Sequence, residues 1–286
     1  MIGTTGADAP SRTLLTSFLG SFMRRVGDWI PIGALVSLMQ ELGIDEQTTR
    51  ASVSRLKKRG WLAADKRHGV NGYRLTPLAI DSLTDDGDGM PRPIRQPGSL
   101  EEGWCIVQVS IPEAERARRH VFRTRMTRLG FGNLNAGWWL APIRLLTAAR
   151  EAIAELGLSD QAAVFVGQYA GESDLGDLVR RTWDLDTINR SYRAFIDEGN
   201  AVLSHSGSPD TPVEGRDAFV AYMTLIDLWR PVPQLDPGLP AELLGPDWAA
   251  REANDLIRLV VARFEQSAID HVATLARAQR NTAVTL

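Results

Sequence analysis

Three helical stripes followed by a short hairpin, all between residues 11 and 75, constrain this chain more than anything else in its sequence. Leu14, Leu15, Phe18, Leu19 and Phe22 recur at helical spacing behind Ser11 and Thr13, either of which can cap a helix. Asp28–Pro31 reads as a break. Ile32, Leu35, Val36, Met39 and Leu42 then share one face of a second helix, which Gly43 ends. Asp45 is a natural N-cap for a third helix that runs through Thr49, Val53 and Leu56 and stops at Gly60. Trp61-Leu62 and Tyr73-Arg74-Leu75 read as two short strands around a tight turn, with Asn71-Gly72 as the turn dipeptide. This order predicts a winged helix-turn-helix domain over residues 11–83.

The charge supports a nucleic-acid partner for that domain once it is counted locally. The whole chain is mildly acidic, with 32 Lys+Arg against 35 Asp+Glu and a net charge of -3. Residues 11–80, however, hold 11 basic and 5 acidic side chains, a net of +6, whereas residues 101–286 hold 19 and 25, a net of -6. At about 100° per residue, Thr49, Val53 and Leu56 face one way on the third helix. Gln47, Arg50, Ala51, Ser54, Arg55 and Lys58 lie broadly opposite. Small residues flanked by long donors suit a major groove about 12 Å wide, with Arg50 and Arg55 matched to guanine and Gln47 to adenine. Lys57, Lys58 and Arg59 close the helix, where they complement its dipole and reach phosphates. Lys66, Arg67, His68 and Gly69 form a wing that offers further backbone or minor-groove contacts. Trp61 and Tyr73 read as packing between helix and wing.

The rest of the chain divides further. Residues 1–10 read as a leader without regular structure. Residues 84–100, with three prolines and three glycines, read as a linker. From Trp104 to Ser110 the pattern is that of a strand. A helix from Pro112-Glu113 to Leu129, a strand at Gly137–Ala141, a helix at Leu145–Leu156 and a strand at Ala163–Val166 follow. With one more strand in the loops, this order predicts a ferredoxin-like α+β domain over 101–172. Residues 173–286 read as an all-helical dimerisation and effector-response domain. Its helices carry Leu175, Leu178, Val179 and Trp183; Ile188, Tyr192, Phe195 and Ile196; and Phe219–Trp229, with a loop at 204–212. A long last helix from about Asp247 has Ala253, Leu256, Ile257, Val260, Val261, Phe264, Ala268, Val272 and Leu275 on one stripe, and is either a core helix or a subunit interface. One cysteine, Cys105, excludes a disulfide framework, and four histidines leave little for a zinc site. Without a signal peptide or a membrane-length apolar run, the expected location is the cytoplasm.

Several motifs resemble one family in order. Leu14-Leu15 with Leu19-Gly20, then Thr49-Arg50-Ala51, Val53-Ser54-Arg55-Leu56 and Arg59-Gly60-Trp61-Leu62, resemble the N-terminal domain of the phenylacetic acid degradation repressor (PaaX) family. The similarity continues at Ile111-Pro112-Glu113, at Trp183-Asp184-Leu185 with Tyr192 and Phe195, and along the run from Asp236-Pro237-Gly238-Leu239-Pro240 to Asp247-Trp248. The resemblance implies a homodimeric bacterial transcription regulator, usually a repressor, that binds palindromic double-stranded DNA near aromatic-catabolism genes. It further implies release by a coenzyme A thioester, phenylacetyl-CoA in the namesake, and a helical C-terminal region concerned with dimerisation and effector response.

Enzyme chemistry finds little footing. The middle domain resembles small CRISPR-associated ferredoxin-like nucleases, whose first strand ends in a metal-binding acid, but Ser110 stands at that place. A metal-dependent nuclease is therefore the alternative function, and a protein–protein adaptor with a degenerate winged helix is a third. Gly130-Phe131-Gly132 leads into a strand, so dinucleotide binding is not supported, and no cofactor or metal is expected. Arg116, Arg119 and Arg123 share a helix face that is either solvated or a seat for effector phosphates. Trp138-Trp139, Trp183, Tyr192 and Trp229-Arg230 either pack in cores or line an apolar effector pocket.

Overall fold

A computed structural model describes residues 8–84, 91–208 and 211–282. Contacts gather the chain into two compact units: Met1–Arg92 with Phe195–Arg230 and Asp255–Leu286, and Pro93–Ala194 with Pro231–Asn254. The fold is mixed α+β, with two small antiparallel sheets among the described residues.

The first unit contains the expected winged helix: α1 (Asp8–Phe22), β1 (Trp29–Pro31), α2 (Ile32–Glu41), α3 (Glu46–Lys58), β2 (Leu62–Arg67), β3 (Val70–Leu75) and α4 (Pro77–Thr84). Of the expected leader, residues 1–7 lie outside the described residues, and the remaining three belong to α1. Two expectations are corrected here. Residues 29–31 do not merely break the chain: β1 pairs with β3, giving a three-stranded sheet in the order β1-β3-β2. The wing turns at His68-Gly69, not at Asn71-Gly72. His68 and Gly69 have φ of 49° and 84°, the left-handed pair that a two-residue hairpin turn requires. Gly72 instead sits inside β3, opposite Pro31 and Asp65.

Helices from the C-terminal part complete this unit. The end of α8 (Leu185–His205), α9 (Gly215–Trp229) and most of α11 (Ala250–Thr282) share its core. Phe18 and Phe22 of α1 meet Phe219 at 6.3 and 5.7 Å between ring centroids, and Phe22 meets Tyr222 edge-on at 5.8 Å. Ser17 donates to Asp227 at 2.7 Å, and the Tyr222 hydroxyl donates to Glu265 at 2.8 Å. His271 of α11 lies 2.8 Å from Glu41 of α2. The α11 stripe Ala253, Leu256, Ile257, Val260, Phe264, Ala268 and Val272 is buried within the chain itself. That apolar face fills the role of a core helix.

The second unit holds β4 (Trp104–Val109), α5 (Arg116–Leu129), β5 (Gly132–Asn135), β6 (Trp138–Pro142), α6 (Leu146–Glu155) and β7 (Ala162–Gly167). Its sheet runs β5-β6-β4-β7, all antiparallel. The additional strand expected in the loops is β5. Side-chain alternation splits β4 between two cores: Cys105, Val107 and Val109 pack with Phe122, Met126 and Ile153 of α5 and α6, while Trp104 faces Leu140, Val179 and Trp183. Val179 belongs to α7 (Leu175–Thr182), and a short α10 (Val232–Leu235) also lies in this unit. Of the expected linker, residues 85–90 lie outside the described residues, and 91–99 have no regular structure. Among the described residues no helix is long and apolar enough to cross a membrane.

Candidate nucleic-acid interface

The third helix is set by its ends and its buried face. The Asp45 side chain caps it, accepting from the Thr48 amide at 2.8 Å and the Thr48 hydroxyl at 2.7 Å. The amide bond, followed by the hydroxyl bond, holds this carboxyl below its usual range. Gly60, at φ 74°, ends the helix, and its amide donates to the Lys57 carbonyl. Thr49, Ser52, Val53 and Leu56 are buried. Gln47, Arg50, Ala51, Ser54, Lys57, Lys58 and Arg59 are exposed, and Arg55 is half-buried with its guanidinium donating to the Ser52 hydroxyl at 2.9 Å. Burial therefore leaves the donor-rich face open.

Three exposed basic side chains of this helix and its C-terminal end are already engaged within the chain. Arg50 forms an ion pair with Glu46, one turn earlier, at 2.6 Å. Both groups are more than half exposed, so the pair is worth only about 0.3–0.5 kcal/mol and yields readily to a stronger anion. The Lys57 ammonium lies 6.0 Å from the centre of the Tyr73 ring, and the Arg59 guanidinium lies 5.4 Å from that of Trp61. The two aromatic residues, both half-buried, thus hold the basic side chains of the last turn.

On the wing, Lys66 and His68 are exposed. Arg67 is partly committed: it pairs with Asp65 at 2.9 Å and stacks 5.6 Å from the Trp29 ring. Trp29 is a residue of the wing that its own local spacing does not single out. It is buried, donates from its indole to the Asp65 carbonyl at 3.2 Å, and carries Arg280 of α11 at 5.6 Å from its ring. Its signal in the sequence was Gly72. A Cβ there would lie 2.4 Å from the indole and 2.5 Å from the Ile30 carbonyl oxygen, so only glycine leaves room for the ring.

The effector candidates divide among four places. Arg119, Arg123 and Trp139 line one cavity of the second unit. Arg116 and Trp138 are exposed and do not line it. Trp183 and Tyr192 are interior residues of the same unit: the Trp183 indole donates to the Gly130 carbonyl at 3.1 Å, and the Tyr192 hydroxyl to Asp236 at 2.5 Å. Trp229 and Arg230 belong to the first unit, where the Trp229 indole donates to the Arg92 carbonyl at 2.9 Å.

Asp236 anchors a buried network. Burial pushes its carboxyl up, although Tyr192 and the Gly238 amide both donate to it. Burial followed by the neighbouring Asp236 charge pushes the Tyr192 hydroxyl up strongly. The Arg95 guanidinium donates to the Asp236 carbonyl, and that of Arg144 to the carbonyls of Gln96 and Gly238. Two arginines thus bind the segment after residue 92 and the Asp236–Pro240 loop to this unit. Cys105 is buried, and desolvation raises its thiol to about 11, which makes it inert core.

Fold and site together define a winged helix-turn-helix chain with a solvent-facing basic third helix, joined to a ferredoxin-like domain and further helices. It belongs to the PaaX family. The descriptions "PaaX-like protein", "PaaX protein central Cas2-like domain" and "PaaX-like protein C-terminal domain" match residues 10–78, 97–179 and 183–274. Among curated proteins it is similar to the transcriptional repressor PaaX of Escherichia coli (strain K12), with 24% identity over 91% of this chain and 82% of that protein. Among solved structures it is similar in fold to the uncharacterised protein Rv0674 from Mycobacterium tuberculosis. That likeness has a TM-score of 0.51 and 21% identity over 94% of this chain and 96% of the other.

Proposed function

We propose that this chain is a cytoplasmic transcriptional repressor, not an enzyme, that binds operator DNA as a homodimer through α3 and the wing. One observation carries the reading. The face of α3 bearing Gln47, Arg50, Ala51, Ser54 and Lys58 is open to solvent, while its opposite face is buried, in a domain whose balance is positive although that of the whole chain is negative. Membership of a family with a curated repressor supports it. In this reading Gln47 and Arg50 read base edges around the small Ala51 and Ser54, and Arg55 joins them by exchanging its bond to the Ser52 hydroxyl for a base edge. Lys57, Lys58, Arg59, Lys66, Arg67 and His68 contact phosphates. The 11–83, 101–172 and 173–286 segments serve as reader, middle domain and dimerisation and effector-response region, with 84–100 as linker.

The regulated genes belong to a catabolic operon for an aromatic acid or a related compound, and an acyl-CoA thioester such as phenylacetyl-CoA releases the repressor. Release follows from linkage: an effector that prefers the dimer whose two reading helices are wrongly spaced for the half-sites lowers DNA affinity by its differential affinity for the two states. The test is a gel shift with DNA from upstream of the protein's own gene, repeated with acyl-CoA thioesters and over a salt series. Arg50→Ala and Arg55→Ala should each cost about 1–3 kcal/mol of specific binding. Binding of both native and variant proteins should fall steeply with salt. Unchanged operator affinity in both variants refutes the role given to α3.

A further inference from the structure

The acidic body of the chain contains a helix of the opposite sign. Residues 101–286 hold 19 basic and 25 acidic side chains, yet α5 (Arg116–Leu129) carries six arginines and no acidic residue. Its core contacts need only Phe122 and Met126, the buried residues of the helix. The arginines work against the helix itself. Arg119 and Arg123 stand four residues apart, where like charges repel. Arg116, Arg118 and Arg119 occupy the first turn, at the positive end of the helix dipole. Neither packing nor local helix stability accounts for this composition, so its reason lies outside the fold.

Half of the charge is met within the chain. Arg118 pairs with Glu115 at 2.8 Å, Arg119 with Glu113 at 2.7 Å and Arg125 with Glu155 at 3.2 Å. Arg116, Arg123 and Arg128 are exposed, and their side chains make no hydrogen bond or ion pair among the described residues.

The unmet charge is also aligned. At about 100° per residue, Arg116, His120, Arg123 and Thr127 fall within a sector of about 60°, and all four are exposed. Arg119 borders this stripe on one side and Thr124 on the other. Every side chain in it can donate a hydrogen bond, and none carries negative charge. The recess beside it, about 350 Å³, adds Ser110 and Asn133 and has no acidic residue in its lining. From Arg116 to Thr127 the stripe is roughly 16 Å long at 1.5 Å per residue. Each strand of duplex DNA carries one phosphate per about 3.4 Å of axis, so the stripe runs beside about five phosphates. A row of exposed donors on a convex helix suits an extended polyanion better than a small ligand, which needs a concave seat.

We propose that the Arg116–His120–Arg123–Thr127 face of α5 binds the phosphate backbone of duplex DNA without reading its sequence, as a contact separate from α3 and the wing. The proposal does not rest on operator recognition, since DNA of any sequence presents the same phosphates.

The test is the salt dependence of DNA binding by the full chain, followed by fluorescence anisotropy. One duplex comes from upstream of the protein's own gene, and the other is a scrambled sequence of equal length. Each arginine on a phosphate adds about 0.9 to the slope of log affinity against log salt. The double variant Arg116→Gln with Arg123→Gln, at two exposed positions, should therefore flatten the slope by about 1.8 on both duplexes. Its preference for the upstream duplex should equal that of the native chain. Arg116→Lys with Arg123→Lys keeps the charge and should keep the native slope. Equal native affinity for the two duplexes, with the slope difference intact, would refute reading by α3 and still support the stripe. A native slope in the glutamine variant would overturn the assignment, and weakened coenzyme A binding by that same variant would then give the stripe to an effector's phosphates. A slope flattened as much by lysine as by glutamine, or a lost preference for the upstream duplex, would overturn it as well.

Discussion

Gly72→Ala is the perturbation for which the structure predicts most. The added methyl carbon would lie 2.4 Å from the Trp29 indole and 2.5 Å from the Ile30 carbonyl oxygen, in the middle strand of the winged sheet. The indole could leave, or the strands could part. Expelling a buried tryptophan exposes roughly 150–250 Å², worth about 4–6 kcal/mol at ~25 cal/mol per Å². Forcing one methyl into a packed core costs only about 1–3 kcal/mol. The ring therefore stays, and β1 shifts away from β3 at the Pro31–Gly72 pairing. Alanine stiffens the unfolded chain and returns about 0.4–1 kcal/mol, which leaves a net loss of about 1–2 kcal/mol. With a urea dependence of about 1–3 kcal/mol per molar, the unfolding midpoint followed by circular dichroism should fall by about 0.5–1 M. Operator affinity should fall too, because Arg67 of the wing stacks on the ring of Trp29, whose strand shifts. A midpoint indistinguishable from the native one would refute the close approach as the reason for glycine here.

Two other outcomes follow from particular contacts. Glu46→Gln removes the carboxylate that occupies Arg50 and adds to phosphate repulsion, so operator affinity in a gel shift at fixed salt should rise about twofold or more. Weaker binding would show that Glu46 aims Arg50 instead of competing for it. Asp236 is raised by burial, so the native state holds its proton more tightly than the unfolded chain. Its contribution is fully present below the unfolded value of 3.8 and is lost as pH rises through the folded value. Asp236→Asn does not ionise, so its urea midpoint should rise relative to the native protein as pH increases from 4 towards neutrality. A pH-independent difference would rule out a buried, ionising Asp236.

The reading face of α3 was legible because helical period alone separates Thr49, Val53 and Leu56 from Gln47, Arg50, Ser54 and Lys58. The α5 and α6 helices and strands β4, β6 and β7 were legible for the same reason, each carrying its own period of apolar residues. The wing turn was misplaced because Asn71-Gly72 has the composition of a turn. Its glycine answers instead to Trp29, some forty residues earlier in the chain. β1 was missed because three residues beside a proline show no alternation, and only pairing with β3 makes them a strand. Asp236, Arg95 and Arg144 carried no local signal of their joint role, since each meets its partners across loops.

By itself the sequence determined the winged helix, the ferredoxin-like order of elements, the polarity of charge and the family motifs, all of which are written in short-range spacing. Tertiary structure alone decided that α9 and α11 share a core with the winged helix, and that the α11 stripe is used up inside the chain. It also selected Arg119, Arg123 and Trp139, from nine scattered candidates, as walls of one cavity. Spacing along a chain fixes which side chains share a face, but which faces meet depends on burial between segments far apart in sequence, where local periodicity carries no information.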